Sequence, residues 1–177
     1  KEHVIVAVDD EGVNTSLLKA ILAEYTVFPA KGITELNSVL ETIIPDLILL
    51  DIMMPETDGL TIARRLKDDP AYCNIPIIFI SAVTSGDSVA DGLTSGADDY
   101  IKKPFDSAEL TARVKRVLEN STRQHELYRR ATRDGLTGLF NREYFFEQLG
   151  MSIRKWKRGC PLFSLGILDI DFFKNVN

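Results

Sequence analysis

From residue 4 to residue 101 the chain alternates between two hydrophobic patterns. Short, continuous apolar runs rich in Val and Ile occur at 4–8, 26–29, 46–50, 77–80 and 100–101. Runs of this length without polar interruption read as strands buried on both faces. Between them, stretches 14–24, 33–43, 60–67 and 88–95 carry apolar residues at helical spacing; Leu17, Leu18, Ile21 and Leu22 share one helical face. Strands alternating with helices predict an α/β fold: a five-stranded, doubly wound parallel sheet, complete within the first 120 residues.

A different pattern follows. Residues 106–132 contain no Gly or Pro and predict one long helix, with Asp106 or Ser107 as its cap and Glu109 in its first turn. Leu110, Val114, Val117 and Leu118 form an apolar stripe in the first half; the second half offers only Leu127, Tyr128 and Ala131. A helix that continues polar beyond its own core reads as a connector, and its heptad signal is weak at the centre. A turn-rich stretch, 133–142, leads into a helix at 142–157, and 162–170 reads as one further apolar strand. The expected organisation is a domain at 1–120, a helical linker at 121–133 and a partial α+β segment at 134–177.

Charge supports that division. Residues 1–120 carry 11 Lys and Arg against 20 Asp and Glu, and residues 121–177 carry 10 against 6. The basic charges of the tail are scattered at helical positions, as on a solvated face, and no helix-turn-helix pattern is present, so no DNA partner is expected. No apolar run reaches 18 residues, so no membrane association is expected, and no signal-peptide pattern opens the chain. Cys73 and Cys160 lie far apart without metal-ligand spacing, which fits a reducing, cytoplasmic setting.

Ligand sites of open parallel sheets lie outside the carboxyl ends of the strands. Asp9 and Asp10 follow the first strand, Asp51 the third, Ser81 the fourth and Lys103 the fifth. Carboxylates about 4 Å apart repel by about 4 kcal/mol at an effective dielectric of about 20. A proton or a cation must relieve that repulsion. Oxygen ligands with room for water suit Mg²⁺. A carboxylate beside Mg²⁺ and a lysine can attack phosphorus to give an aspartyl phosphate, with Lys103 sharing the phosphoryl charge.

These residues sit in stretches that resemble the receiver domain of two-component response regulators, a flavodoxin-like fold. The matching stretches are Val8-Asp9-Asp10, residues 50–55 (Leu-Asp-Ile-Met-Met-Pro), Asp58-Gly59, Ser81-Ala82 and residues 96–105 (Gly-Ala-Asp-Asp-Tyr-Ile-Lys-Lys-Pro-Phe). The resemblance covers residue 3 to about residue 120. It implies that Asp51 is the phosphoacceptor and that Asp9, Asp10, Asp51 and the Met53 carbonyl hold Mg²⁺. It implies that Lys103 binds the phosphoryl group, and that Ser81 and Tyr100 are a switch pair.

Residues 134–142 (Asp-Gly-Leu-Thr-Gly-Leu-Phe-Asn-Arg) and 168–174 (Leu-Asp-Ile-Asp-Phe-Phe-Lys) together resemble the opening of the diguanylate cyclase family, named for its Gly-Gly-Asp/Glu-Glu-Phe loop. This second resemblance implies a metal ligand at Asp169 with the Ile170 carbonyl beside it. It implies triphosphate contacts for GTP at Phe172, Phe173 and Lys174, and a guanine contact at Asn177. The signature loop is absent from the 177 residues, so this chain by itself is not expected to turn over GTP.

The expected function is a phosphorylation-activated response regulator controlling a diguanylate cyclase output, which converts two GTP to cyclic di-GMP in the intact protein. A sensor histidine kinase or phosphotransfer protein is the expected phosphodonor and a homodimer the expected assembly. The alternative is a stand-alone phospho-switch that acts through protein–protein contacts.

Overall fold

The computed structural model describes residues 3–55, 57–82, 96–158, 162 and 164–168. The chain divides into two units, Lys1–Gln124 and His125–Asn177.

The first unit holds strands β1 (Val4–Val8), β2 (Thr26–Ala30), β3 (Leu47–Asp51), β4 (Ile77–Ser81) and β5 (Asp99–Lys102). Its helices are α1 (Gly12–Ile21), α2 (Ile33–Leu40), α3 (Gly59–Asp68) and the first part of α4 (Ser107–Thr132). All five strands run parallel in the order β2-β1-β3-β4-β5. The doubly wound sheet expected from the apolar runs is therefore present, each strand lying within a residue or two of its run. The expected helix at 88–95 lies outside the described residues.

Alternate strand residues feed two separate cores. Ile5, Ala7, Leu47, Leu49, Ile78 and Ile80 face one side, where Leu18 from α1, Leu22 just after it and the stripe Leu110, Val114, Val117 and Leu118 from α4 cover them. Val6, Val8, Ile48, Leu50, Ile77 and Phe79 face the other side, under Leu36 and Leu40 from α2 and Ile62, Ala63 and Leu66 from α3. Burying each such side chain contributes roughly 1.5–3 kcal/mol, which is what pins the first half of α4 to the sheet. Asp106 caps α4: its Oδ1 accepts from the amides of Ala108 (2.8 Å) and Glu109 (3.3 Å).

In the second unit, the turn expected from the two glycines and Asn141 is built around side-chain acceptors. Asp134 Oδ1 accepts from the Thr137 amide at 2.9 Å and its hydroxyl at 2.7 Å. Gly138 adopts φ +70°, which favours glycine, and its amide donates to the Asp134 carbonyl. Asn141 then caps α5 (Arg142–Lys157), its Oδ1 accepting from the Tyr144 amide at 2.9 Å while its Nδ2 donates to the Ala131 carbonyl at 2.8 Å.

One expectation fails here. Leu162 and residues 164–168 form no strand, and Leu168 is fully exposed. A strand needs a neighbour to accept and donate its backbone hydrogen bonds, and none of the described residues pairs with this run.

Candidate functional site

Register brings the site together. β1 and β3 pair with Val8 opposite Leu50, β3 and β4 with Asp51 opposite Ile80, and β4 and β5 with Ser81 opposite Lys102. The carboxyl ends of four strands therefore finish level, and the residue after each end, or the last of each strand, faces one cleft. Lys103 is held there by its own amide, which donates to the Ser81 carbonyl at 2.8 Å.

Oxygens of Asp9, Asp10 and Asp51 lie within 4.8 Å of one another. Asp9 and Asp51 are only 2% and 7% exposed, whereas Asp10 faces solvent. Lys103 Nζ bridges the buried pair, 2.7 Å from Asp9 Oδ2 and 2.6 Å from Asp51 Oδ2. Asp51 Oδ1 also accepts from the Met53 amide at 2.9 Å. The balance of these forces is set first by burial, which raises the Asp51 carboxyl above the usual carboxylate range. Hydrogen bonds from Lys103 and the Met53 amide and the attraction of Lys103 oppose that rise, and repulsion from Asp9 adds to it. For Lys103, burial pulls downward, but hydrogen bonds and attraction to Asp51 and Asp9 outweigh it and hold the ammonium above the usual lysine value.

A group of three carboxylates with one cation is left one to two charges negative, and it offers only oxygen donors. That donor set suits a hard divalent cation that keeps some of its water, as Mg²⁺ does. The residues singled out at the first, third and fifth strand ends thus lie together, two buried carboxylates bridged by one lysine with a third carboxylate beside them. Ser81 is fully buried at the end of β4, and Tyr100 lies half-buried on β5 with its hydroxyl donating to the Ser81 carbonyl at 3.5 Å. The two switch candidates therefore touch. Asp169, Ile170, Phe172, Phe173, Lys174 and Asn177 lie outside the described residues.

Residues 5–115 match the family model described as response regulator receiver domain. The chain belongs to the response regulator receiver family. Residues 131–177 match the model for the diguanylate cyclase GGDEF domain. Among curated proteins, the chain is 43% identical over 119 residues to the phosphate regulon transcriptional regulatory protein PhoB of Pseudomonas aeruginosa, covering 66% of this chain and 52% of that protein. It is 42% identical over 113 residues to response regulator PleD of Caulobacter vibrioides, covering 63% of this chain and 25% of that protein. The chain thus spans about half the length of the first relative and a quarter of the second. The solved signal receiver domain of a signal transduction histidine kinase from Syntrophus aciditrophicus superposes with a TM-score of 0.62 at 35% identity, covering 67% of this chain and 91% of that one.

Two residues of this receiver site carry more than their sequence suggested. Gly59 opens α3 directly behind the phosphoacceptor candidate: a Cβ there would stand 2.2 Å from the Asp51 carbonyl oxygen. Its amide meanwhile donates to the Ile52 carbonyl at 2.9 Å, so only glycine lets the chain pass this close. Asn14, in the first turn of α1, donates from Nδ2 to both Asp9 oxygens, at 2.9 Å and 3.0 Å. The available signal was its place: an amide side chain in the first turn of the helix that follows the strand-end carboxylate, five residues on. Among the described residues no helix is long and apolar enough to cross a membrane.

Proposed function

We propose that this receiver is a phosphorylation switch in which Asp51 accepts a phosphoryl group from a sensor histidine kinase or a phosphotransfer protein. One observation carries the reading: a buried carboxylate at a strand end, bridged by Lys103 to a second carboxylate, with a third carboxylate open to solvent beside them. In the reaction an Asp51 oxygen attacks phosphorus, the phosphorus–nitrogen bond to the donor imidazole breaks, and the imidazole nitrogen leaves with that electron pair. Lys103, already within 2.6 Å of the Asp51 oxygen, exchanges a carboxylate contact for a phosphoryl oxygen. Asp9, Asp10, Asp51 and the Met53 carbonyl would hold Mg²⁺, which, when bound, offsets the negative charge of carboxylates and phosphoryl oxygens alike. Ser81 and Tyr100 form the switch pair: the Ser81 hydroxyl turns toward the phosphoryl group and the Tyr100 ring packs inward.

The match of residues 131–177 supports a diguanylate cyclase output, making cyclic di-GMP from GTP in a longer protein. In that reading Asp169, Ile170, Phe172, Phe173, Lys174 and Asn177 contribute to the GTP and metal site of the output. The boundaries at 120 and 133 separate receiver, helical linker and cyclase segment, and the protein is a homodimer in the cytoplasm. These 177 residues contain no Gly-Gly-Asp/Glu-Glu-Phe sequence and are not expected to turn over GTP by themselves.

Incubation with phosphoramidate and Mg²⁺, followed by intact-mass measurement, tests the switch. One added phosphoryl group on the parent chain and none on Asp51→Asn is the expected result. Equal labelling of both would refute it.

A further inference from the structure

Acceptor capacity is unevenly distributed over the three carboxylates. Asp9 Oδ1 accepts from the Glu11 amide at 2.9 Å and from Asn14 Nδ2 at 2.9 Å. Asp9 Oδ2 accepts from Asn14 Nδ2 at 3.0 Å and from Lys103 Nζ at 2.7 Å. An ionised carboxylate has about four lone-pair positions, and three donor groups already crowd the two Asp9 oxygens, the Asn14 amide reaching both of them. Among the described residues Asp51 serves two donors, the Met53 amide and the Lys103 ammonium. Asp10, exposed beside them, accepts from no group among the described residues.

Asn14 is fixed in this arrangement. Its Nδ2 faces three carboxylate oxygens, the two of Asp9 and Glu11 Oε2 at 3.1 Å, so the nitrogen and not the amide oxygen must point there. Its backbone is held in α1, where its amide donates to the Glu11 carbonyl at 2.9 Å.

We propose that Asn14 is a positioning residue that lowers the site's affinity for a divalent cation, by occupying the Asp9 oxygens with hydrogen bonds that the cation must weaken or displace. The inference rests on the reading of this cluster as a Mg²⁺ site. A hydrogen bond that is full in the cation-free protein and weakened in the loaded one stabilises the cation-free state selectively. Removing it therefore lowers cation-free stability, and it tightens cation binding by the share of that loss which the loaded form escapes, since the two are legs of one thermodynamic cycle. Charge-assisted hydrogen bonds of this kind are worth enough to give Mg²⁺ binding about 5- to 10-fold tighter.

The test uses the full 177-residue chain with Mg²⁺ alone, by calorimetric titration, together with melting in EDTA and in saturating Mg²⁺. Asn14→Leu keeps the side-chain shape without the donor, Asn14→Ala provides an independent variant, and Ser16→Ala changes a neighbouring helix position outside the cluster. Both Asn14 variants are expected to bind Mg²⁺ about 5- to 10-fold more tightly than the parent and to melt lower in EDTA, with the gap closing in Mg²⁺. Ser16→Ala is expected to leave Mg²⁺ affinity unchanged. If the parent binds but both Asn14 variants bind equally or more weakly, this inference alone is overturned. A loss of about 10- to 100-fold would mark Asn14 as a partner that orients a ligand. If the parent binds no Mg²⁺, the cation-site reading falls and takes the inference with it.

Discussion

Lys103→Met removes one charge from the centre of the cluster and changes side-chain length and volume little. In the cation-free protein the Asp9 and Asp51 carboxylates then face each other without their ammonium, their oxygens no more than 4.8 Å apart. At an effective dielectric of about 20 that repulsion is about 3.5 kcal/mol. Losing one partner of a buried ion pair carries a cost of the same order, about 3–5 kcal/mol. Part is recovered because one carboxyl can take up a proton, and Asp51 is already raised by burial. A net loss of about 2–3 kcal/mol at neutral pH is expected, or about 10 °C in Tm for a unit of this size. The sign of the pH dependence follows. In the variant a carboxyl titrates above its unfolded value, so the folded form binds more protons there, and the deficit shrinks as pH falls from 7 toward 5. Mg²⁺ supplies the missing positive charge and is also expected to close most of the gap. Urea unfolding of parent and variant in EDTA and in Mg²⁺, at pH 7 and pH 5, measures all of this. Equal stability of the two proteins in EDTA at pH 7, or a deficit independent of both pH and Mg²⁺, would refute the assignment of Lys103 as the counter-charge.

Three further outcomes are expected. Gly59→Ala places a Cβ 2.2 Å from the Asp51 carbonyl oxygen and should destabilise the receiver by about 1–3 kcal/mol in urea unfolding. Asp58→Ala removes the α3 cap, which accepts from the Thr61 amide at 2.8 Å, and should cost about 1 kcal/mol at pH 7. Chiefly the Thr61 amide hydrogen bond holds the Asp58 carboxyl below its ordinary 3.8, so this contribution is present above about pH 4 and is lost as pH falls further; acid titration of parent and variant should converge. A chain ending at residue 133 should unfold cooperatively with the same sheet signals by circular dichroism, because both cores close within the first unit; a broad, non-cooperative transition would show that the boundary is wrong.

The sheet was legible because parallel strands buried on both faces leave uninterrupted apolar runs, and each of the five runs became a strand. The cluster was legible for the same reason: once strand ends are known, Asp9, Asp51, Ser81 and Lys103 fall on one rim. What pattern alone did not carry is the detail set by three-dimensional approach. Gly59 matters through a carbonyl eight residues earlier in sequence, and Asn14 through an amide that reaches back across a turn. The run at 162–168 marks the opposite limit. Its apolar pattern is that of a strand, but pattern cannot supply the neighbouring backbone that turns a run into one.

In the proposed switch the Asp51 carboxylate is the phosphoryl acceptor. The most direct test is to treat the chain with phosphoramidate in Mg²⁺, reduce the acyl phosphate with borohydride, digest, and locate the altered residue by tandem mass spectrometry. Reduction is expected to convert Asp51, and no other acidic residue, to homoserine, and to do so only in the treated parent chain. Homoserine at Asp9 or Asp10, or an unaltered Asp51 in a chain that has gained phosphate, would rule out Asp51 as the acceptor.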